Sequence, residues 1–211
     1  MASSITQDCI RQVSTYVAEA FKPDGFRRQA PHLWRERGDV INVINFQASQ
    51  WGSAKAGRFT INLASTNRHL YSTWTGRKFP ANPAAAIWPV HIRIGALTSG
   101  TDLWWDVEES TNAYTLAEFI VDSFRKDILT WFETYPSLAA LDAGLSNFRK
   151  YGDVPGVTEA QVPLIRAIIK HHSGDLLAAE RGLAAAMVAS NGTPFAETVS
   201  VIAARLNAQT A

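Results

Sequence analysis

Arg58, Thr60 and Asn62 alternate with Phe59, Ile61 and Leu63, and further on His91 and Arg93 alternate with Val90, Ile92 and Ile94. A period of two puts each polar set on one face of a β-strand and each apolar set on the other. Two guanidinium groups, an amide, a hydroxyl and an imidazole on one sheet face supply fixed donors for a carboxylate, a phosphate or an acidic protein surface. Asn45 and Gln47, near the end of the apolar run from Val40 to Gln47, join that face or leave it according to the pleat of their strand. Trp51 follows at once, in a loop of Trp, Gly, Ser, Ala and Lys. The plainer reading is an outer face that only meets water. Asn42, Asn45 and Gln47 are harder to dismiss, because an unpaired buried amide costs about 1–3 kcal/mol. They tie down the 50–57 loop, bond a long helix, or line a pocket with Trp51.

No catalytic residues, metal ligands or cofactor are expected. The chain has no G-x-S-x-G, no phosphate-binding G-x-x-x-x-G-K, no H-E-x-x-H and no cysteine pair. His91 is the one histidine expected on the polar face, with no nucleophile or carboxylate predicted beside it. His171 and His172 end a helix, where positive charge suits the dipole, and as adjacent helical residues they diverge too far to share a metal. Arg27, Arg28, Arg35 and Arg37 surround Trp34 in a basic segment that could stack and neutralise single-stranded nucleic acid. Charged edge strands also keep sheets from pairing with one another, and the latter reading suits a chain with little net charge.

Elements that place these residues can be read in order. Ile5, Cys9, Val13, Val17 and Phe21 define an N-terminal helix, stopped by Lys22-Pro23-Asp24-Gly25. Phe26 to Arg37 reads as an edge strand interrupted by Pro31, turning through Gly38-Asp39 into the central pair. Trp88 to Ile94 and Leu103 to Val107 supply further strands, with a loop from Gly95 to Asp102 between them. Thr115 and Glu118 form a capping box for a long helix to Tyr135, striped by Leu116, Phe119, Ile120, Phe124, Ile128, Trp131 and Phe132. Leu138, Leu141, Leu145 and Phe148 mark another helix before the break at 152–156. Helices from Thr158, Asp175 and Thr193 finish the chain, the second striped by Leu176, Leu177, Leu183, Met187 and Val188. The reading is α+β: an antiparallel sheet of four or five strands within 1–135, packed by the N-terminal and central helices. A helical cap over 136–211 resembles a tetratricopeptide-type hairpin.

Twenty basic and nineteen acidic residues leave a formal charge of +1, so no global field draws in nucleic acid or an anionic membrane. The single cysteine rules out a disulfide framework, and no apolar run has the length of a membrane span. A cytoplasmic protein is expected.

Several segments resemble one family. Gly25-Phe26-Arg27-Arg28, Leu33-Trp34-Arg35, Gly38-Asp39-Val40, and Val43-Ile44-Asn45-Phe46-Gln47 with Ser49 and Trp51 are the first of these. Arg58-Phe59-Thr60-Ile61-Asn62-Leu63, Arg93-Ile94-Gly95 and Trp104-Trp105 complete the set, over about Gly25 to Val107. Together they resemble family 4304 of the bacterial domains of unknown function. The resemblance sharpens the fold and brings no activity with it. Small bacterial α+β proteins of this kind include immunity partners encoded beside toxins, an analogy at the level of fold. The leading expectation is therefore a non-enzymatic cytoplasmic binding protein, with a toxin as one candidate partner. It would use Asn45, Gln47, Trp51, Arg58, Thr60, Asn62, His91 and Arg93. The alternatives are an enzyme or a binder of a small acidic ligand at the same face, and a nucleic-acid binder through residues 27–37.

Overall fold

A computed structural model describes residues 4–51, 53, 55–87, 89–146 and 157–210. The expectations for Trp88, Phe148 and the 152–156 break lie outside the described residues.

Helix α1 (Ser4–Phe21) buries Cys9, Val13, Val17 and Phe21 together with Ile10. A 3-10 turn at Lys22–Asp24 ends it, and Gly25 takes the left-handed conformation (φ +83°) that reverses the chain. The next segment is not one interrupted strand but two: β1 (Arg27–Gln29) and β2 (His32–Arg37) pair antiparallel about an Ala30-Pro31 turn. Proline cannot donate to a ladder, so the hairpin bends where it sits. Gly38-Asp39 makes a two-residue turn into β3 (Val40–Ala48), which pairs with β4 (Ala56–Thr66).

Asn67 caps α2 (Arg68–Thr75) through its side-chain oxygen, and β5 (Val90–Arg93) follows. The expected loop from Gly95 begins instead as a short helix, α3 (Ile94–Thr98), before β6 (Trp105–Glu108). Six antiparallel strands result, in the order β1-β2-β3-β4-β5, with β6 also on β4. β5 pairs with residues 62–65 of β4 and β6 with residues 56–59, end to end along one edge.

The long helix α4 (Ala113–Thr134) begins earlier than its expected capping box. Asn112 is the stronger cap, its Oδ1 accepting from the amides of Tyr114 (3.0 Å) and Thr115 (3.1 Å). Its Ile120, Ile128, Trp131 and Phe132 are buried, and α1 and α4 together cover Ile44, Phe46, Phe59, Ile61, Leu63 and Ile92 of the sheet. Each large buried side chain contributes about 1.5–3 kcal/mol. Phe119, expected in the stripe, is 53% exposed.

One buried charge fastens this layer. Arg35 donates to Asn42 Oδ1 (3.0 Å), to the Asp24 carbonyl (2.9 Å) and to Glu133 Oε1 on α4 (3.1 Å). Arg37 also bonds Glu133. Asn42 thus faces α4, not Trp51, and donates onward to Ser65 (3.4 Å).

Beyond α4 come α5 (Leu138–Ser146), α6 (Val162–His172), α7 (Leu176–Ser190) and α8 (Phe195–Thr210). Asp142 joins α5 to α6 by accepting from Arg166 (2.9 Å) and Lys170 (3.0 Å). The expected stripe of α7 is corrected: Leu176, Leu177, Met187 and Val188 face solvent, while Ala179, Ala186 and Ser190 are buried. A Cβ on Gly182 would meet Ala167 Cβ at 2.9 Å, so α6 and α7 approach too closely for large side chains at their seam. No described helix is long and apolar enough to cross a membrane.

Candidate functional site

The pleat of β3 follows from its neighbours. Ile44 and Phe46 pack with α1 and α4, so Asn45 and Gln47 project from the other face. Register then builds a polar row across the sheet: Asn45 pairs with Asn62, Asn62 with Arg93, and Gln47 with Thr60. His91 lies one step along on that face, opposite Ala64. Arg58 occupies the same face nearer the start of β4, opposite Asp106.

Asn62 Nδ2 donates to Asn45 Oδ1 (3.2 Å) and Gln47 Oε1 (2.9 Å), which holds the two central strands by their side chains. The row extends to a residue outside the expected set. His32 of β2 accepts the Phe46 amide proton on Nδ1 (3.1 Å), with Asn45 Nδ2 at 3.4 Å. An accepting Nδ1 is an unprotonated one, so the ring is neutral and its proton sits on Nε2. Burial lowers the His32 pKa, in agreement with a neutral ring. His91 is therefore not the sole imidazole on the face; its pKa too is lowered, chiefly by burial.

Two chain segments lie over this face. Phe79 and Ile87 pack with Ile41, Val43 and Ala64, covering the end near Trp34. At the other end the 101–104 segment crosses β4, and Thr60 donates its hydroxyl proton to the Leu103 carbonyl (2.8 Å). Gly95 permits this crossing, since a Cβ there would stand 2.5 Å from Leu103 and from the Thr101 carbonyl. Thr60 and Asn62 are consequently buried, at 0% and 2% exposure, with their side chains bonded inside the fold.

What reaches solvent is a smaller surface. The guanidinium groups of Arg58 and Arg93 each lie 5.1 Å from the Trp104 ring centroid. Asp102 fixes that arrangement, accepting from Arg93 (2.8 and 2.7 Å) and from Trp104 Nε1 (2.9 Å). The Trp104 and Arg93 hydrogen bonds hold the Asp102 carboxyl below its ordinary pKa. Arg58 and Gln47 are exposed. The Ser49 amide donates to the Arg58 carbonyl (2.8 Å) and the Ser49 hydroxyl accepts from the Trp51 amide (3.1 Å), so the Trp51 loop starts beside Arg58. Trp51 itself is 79% exposed.

The eight expected residues thus divide. Asn62 and Thr60 are internal; Asn45, bonded to Asn62, is half-buried, as are His91 and Arg93; Gln47, Trp51 and Arg58 meet solvent. Trp104, Asp102 and His32 belong with them and were missed. For His32 the signal was present: a two-residue Gly38-Asp39 turn pairs Arg37 with Val40, and the same count places His32 opposite Asn45. Five cavities of about 290–640 Å³ are lined by other residues. The described residues contain no cluster of three or more His, Cys, Asp or Glu able to hold a metal. In the basic segment Arg35 and Arg37 are engaged by Glu133, leaving Arg27, over the Trp34 ring at 5.5 Å, and Arg28 at the surface.

No curated protein and no solved structure matches the chain. A family model does match, over residues 17–134, which runs from the end of α1 to the end of α4 and so takes in the whole sheet. The chain belongs to the family of the domain of unknown function DUF4304.

Proposed function

We propose that this protein is a non-enzymatic binding protein that captures an acidic protein partner at the Trp51–Arg58–Trp104 end of its sheet. The reading rests on Trp51: an indole left 79% exposed in a loop that starts beside Arg58, an arginine already over the ring of a second tryptophan. Tryptophan and arginine are the residues that most often dominate protein interfaces. Arg58 makes no ion pair among the described residues, so a carboxylate from a partner would meet a guanidinium held in place by its ring. Asp102, bonded to both Arg93 and Trp104, keeps that ring from turning when a partner docks. Buried Asn62 and Thr60, with Asn45 bonded to Asn62, serve as rigid backing.

The partner we favour is a toxin that this protein neutralises as an immunity protein, encoded by the adjacent gene. Co-expression and co-purification with that gene's product test the reading. A complex at micromolar concentration or tighter and protection of the cells are expected. Arg58→Glu should weaken the complex roughly a hundredfold, the scale of losing a central arginine contact and gaining a repulsion. Absence of a complex together with absence of protection would end this reading.

A further inference from the structure

On the far side of the molecule, α1 and α4 leave a second surface of opposite character. Tyr16 and Tyr114 meet edge to face, ring centroids 4.8 Å apart at 78°, and Tyr114 is 61% exposed. They head a groove of about 640 Å³ walled by Gln12, Thr15, Tyr16, Glu19 and Tyr114. Glu118 and Asp122 follow Tyr114 at intervals of one helical turn, so the three side chains run along one side of α4. Tyr16 registers their presence. Its phenol pKa is raised first by the hydrogen bond to Tyr114, then by partial desolvation, then by the charges of Glu118 and Asp122 among others.

Bases on and just after α1, and Arg125 on α4, have acidic partners of their own, Lys22 finding its partner in the groove's Glu19. Arg11 pairs with Asp8, Lys22 with Glu19, and Arg125 with Asp24. Lys126, one turn beyond Asp122, makes no ion pair with it. The ion pairs of the described residues likewise include neither Glu118 nor Asp122. Two carboxylates without ion pairs therefore follow the exposed Tyr114 along α4, leading away from the groove that the two tyrosines head.

We infer that this face of α4, from Tyr114 through Glu118 to Asp122, docks an extended basic peptide segment of a partner protein, with arginine or lysine at alternate positions. The spacing supports this occupant. A helix rises about 1.5 Å per residue, which sets Tyr114, Glu118 and Asp122 about 6 Å apart along α4. An extended chain presents same-side residues about 6.6 Å apart. Cations at two alternate positions then reach Glu118 and Asp122, and a third lies over the Tyr114 ring, where a cation is attracted to the aromatic face. Arginine suits both contacts better than lysine, because its planar group stacks and bonds a carboxylate with two donors. This surface is independent of the Trp51–Arg58 end and selects the opposite charge.

An acetylated Arg-Ser-Arg-Ser-Arg amide, and the same peptide with citrulline for each arginine, provide the probe pair. Citrulline keeps the shape and removes the charge. With the intact chain, the arginine peptide is expected to shift backbone amide resonances of residues 12–20 and 113–123 at millimolar concentration, and the citrulline peptide to shift none. Glu118→Gln with Asp122→Asn should weaken binding roughly tenfold, one decade of affinity. Both positions are exposed, so thermal unfolding should not move. Glu180→Gln with Glu197→Gln, on α7 and α8, should leave binding intact. Equal binding of the citrulline peptide, unchanged affinity in the Glu118/Asp122 variant, or no shifts along the seam would each overturn the inference.

Discussion

At His69 an imidazole of α2 lies against two others from α6. Its ring stacks on His172 with centroids 4.3 Å apart and an interplanar angle of 19°, and runs near-parallel to His171 at 6.4 Å. The His69 pKa is lowered, first by burial and then by His172 and His171. A base whose folded pKa is depressed binds its proton more readily when unfolded. The stability it supports is therefore complete above the unfolded value of about 6.5 and is lost as pH falls below it. His32 and His91 act in the same direction, both lowered chiefly by burial. Urea unfolding between pH 7 and 5 should show stability falling on acidification, at a slope of up to about 1.4 kcal/mol per pH unit for each such group. His69→Gln should remove close to one group's share. A variant with the parent's slope would show that the stack carries none of it.

Individual elements raise a different question, since the strands were far more legible than what lies on them. Alternation along β4 and β5 assigned Arg58, Thr60, Asn62, His91 and Arg93 to one face, and the Gly38-Asp39 turn fixed the register of β2 on β3. Burial of Thr60 and Asn62 could not be read in the same way. It depends on β6 pairing with β4, and on Gly95 allowing the 101–104 segment to cross, neither of which leaves a local periodicity. In α7 the hydrophobic pattern pointed the wrong way, because a tight helix seam selects alanine and glycine and leaves leucine and methionine outside. Gly95→Ala tests the crossing. A methyl group against Leu103 should force the segment away from Thr60 and destabilise the protein by about 2 kcal/mol, as overpacking does. An unfolding midpoint equal to the parent's would mean that the segment yields without cost.

For the whole molecule, the matched family region ends at Thr134, where the sheet and its two helices are complete, and α5 to α8 continue beyond it. The helical tail is joined to the sheet layer largely through α2. Arg205 donates to the carbonyls of Thr73 (2.9 Å) and Trp74 (3.0 Å), and the Trp74 and Phe195 rings lie 6.1 Å apart. Gly76 makes room for the guanidinium, which would collide with any side chain there. Those two carbonyls end α2, so Arg205 acts as its C-terminal cap from another element. Arg205→Gln should cost about 2 kcal/mol, or roughly 4–8 °C in the unfolding temperature of a chain this size. No change would show that this cap adds nothing to the attachment of the tail.

The exposure of Trp51 has a practical side. Among the seven tryptophans, those described besides Trp51 are buried or half-buried, so a water-facing indole sits at the proposed binding surface. Long-wavelength emission and easy quenching by acrylamide should come mainly from that ring. Occupancy of the site can then be followed by light, with no dye attached.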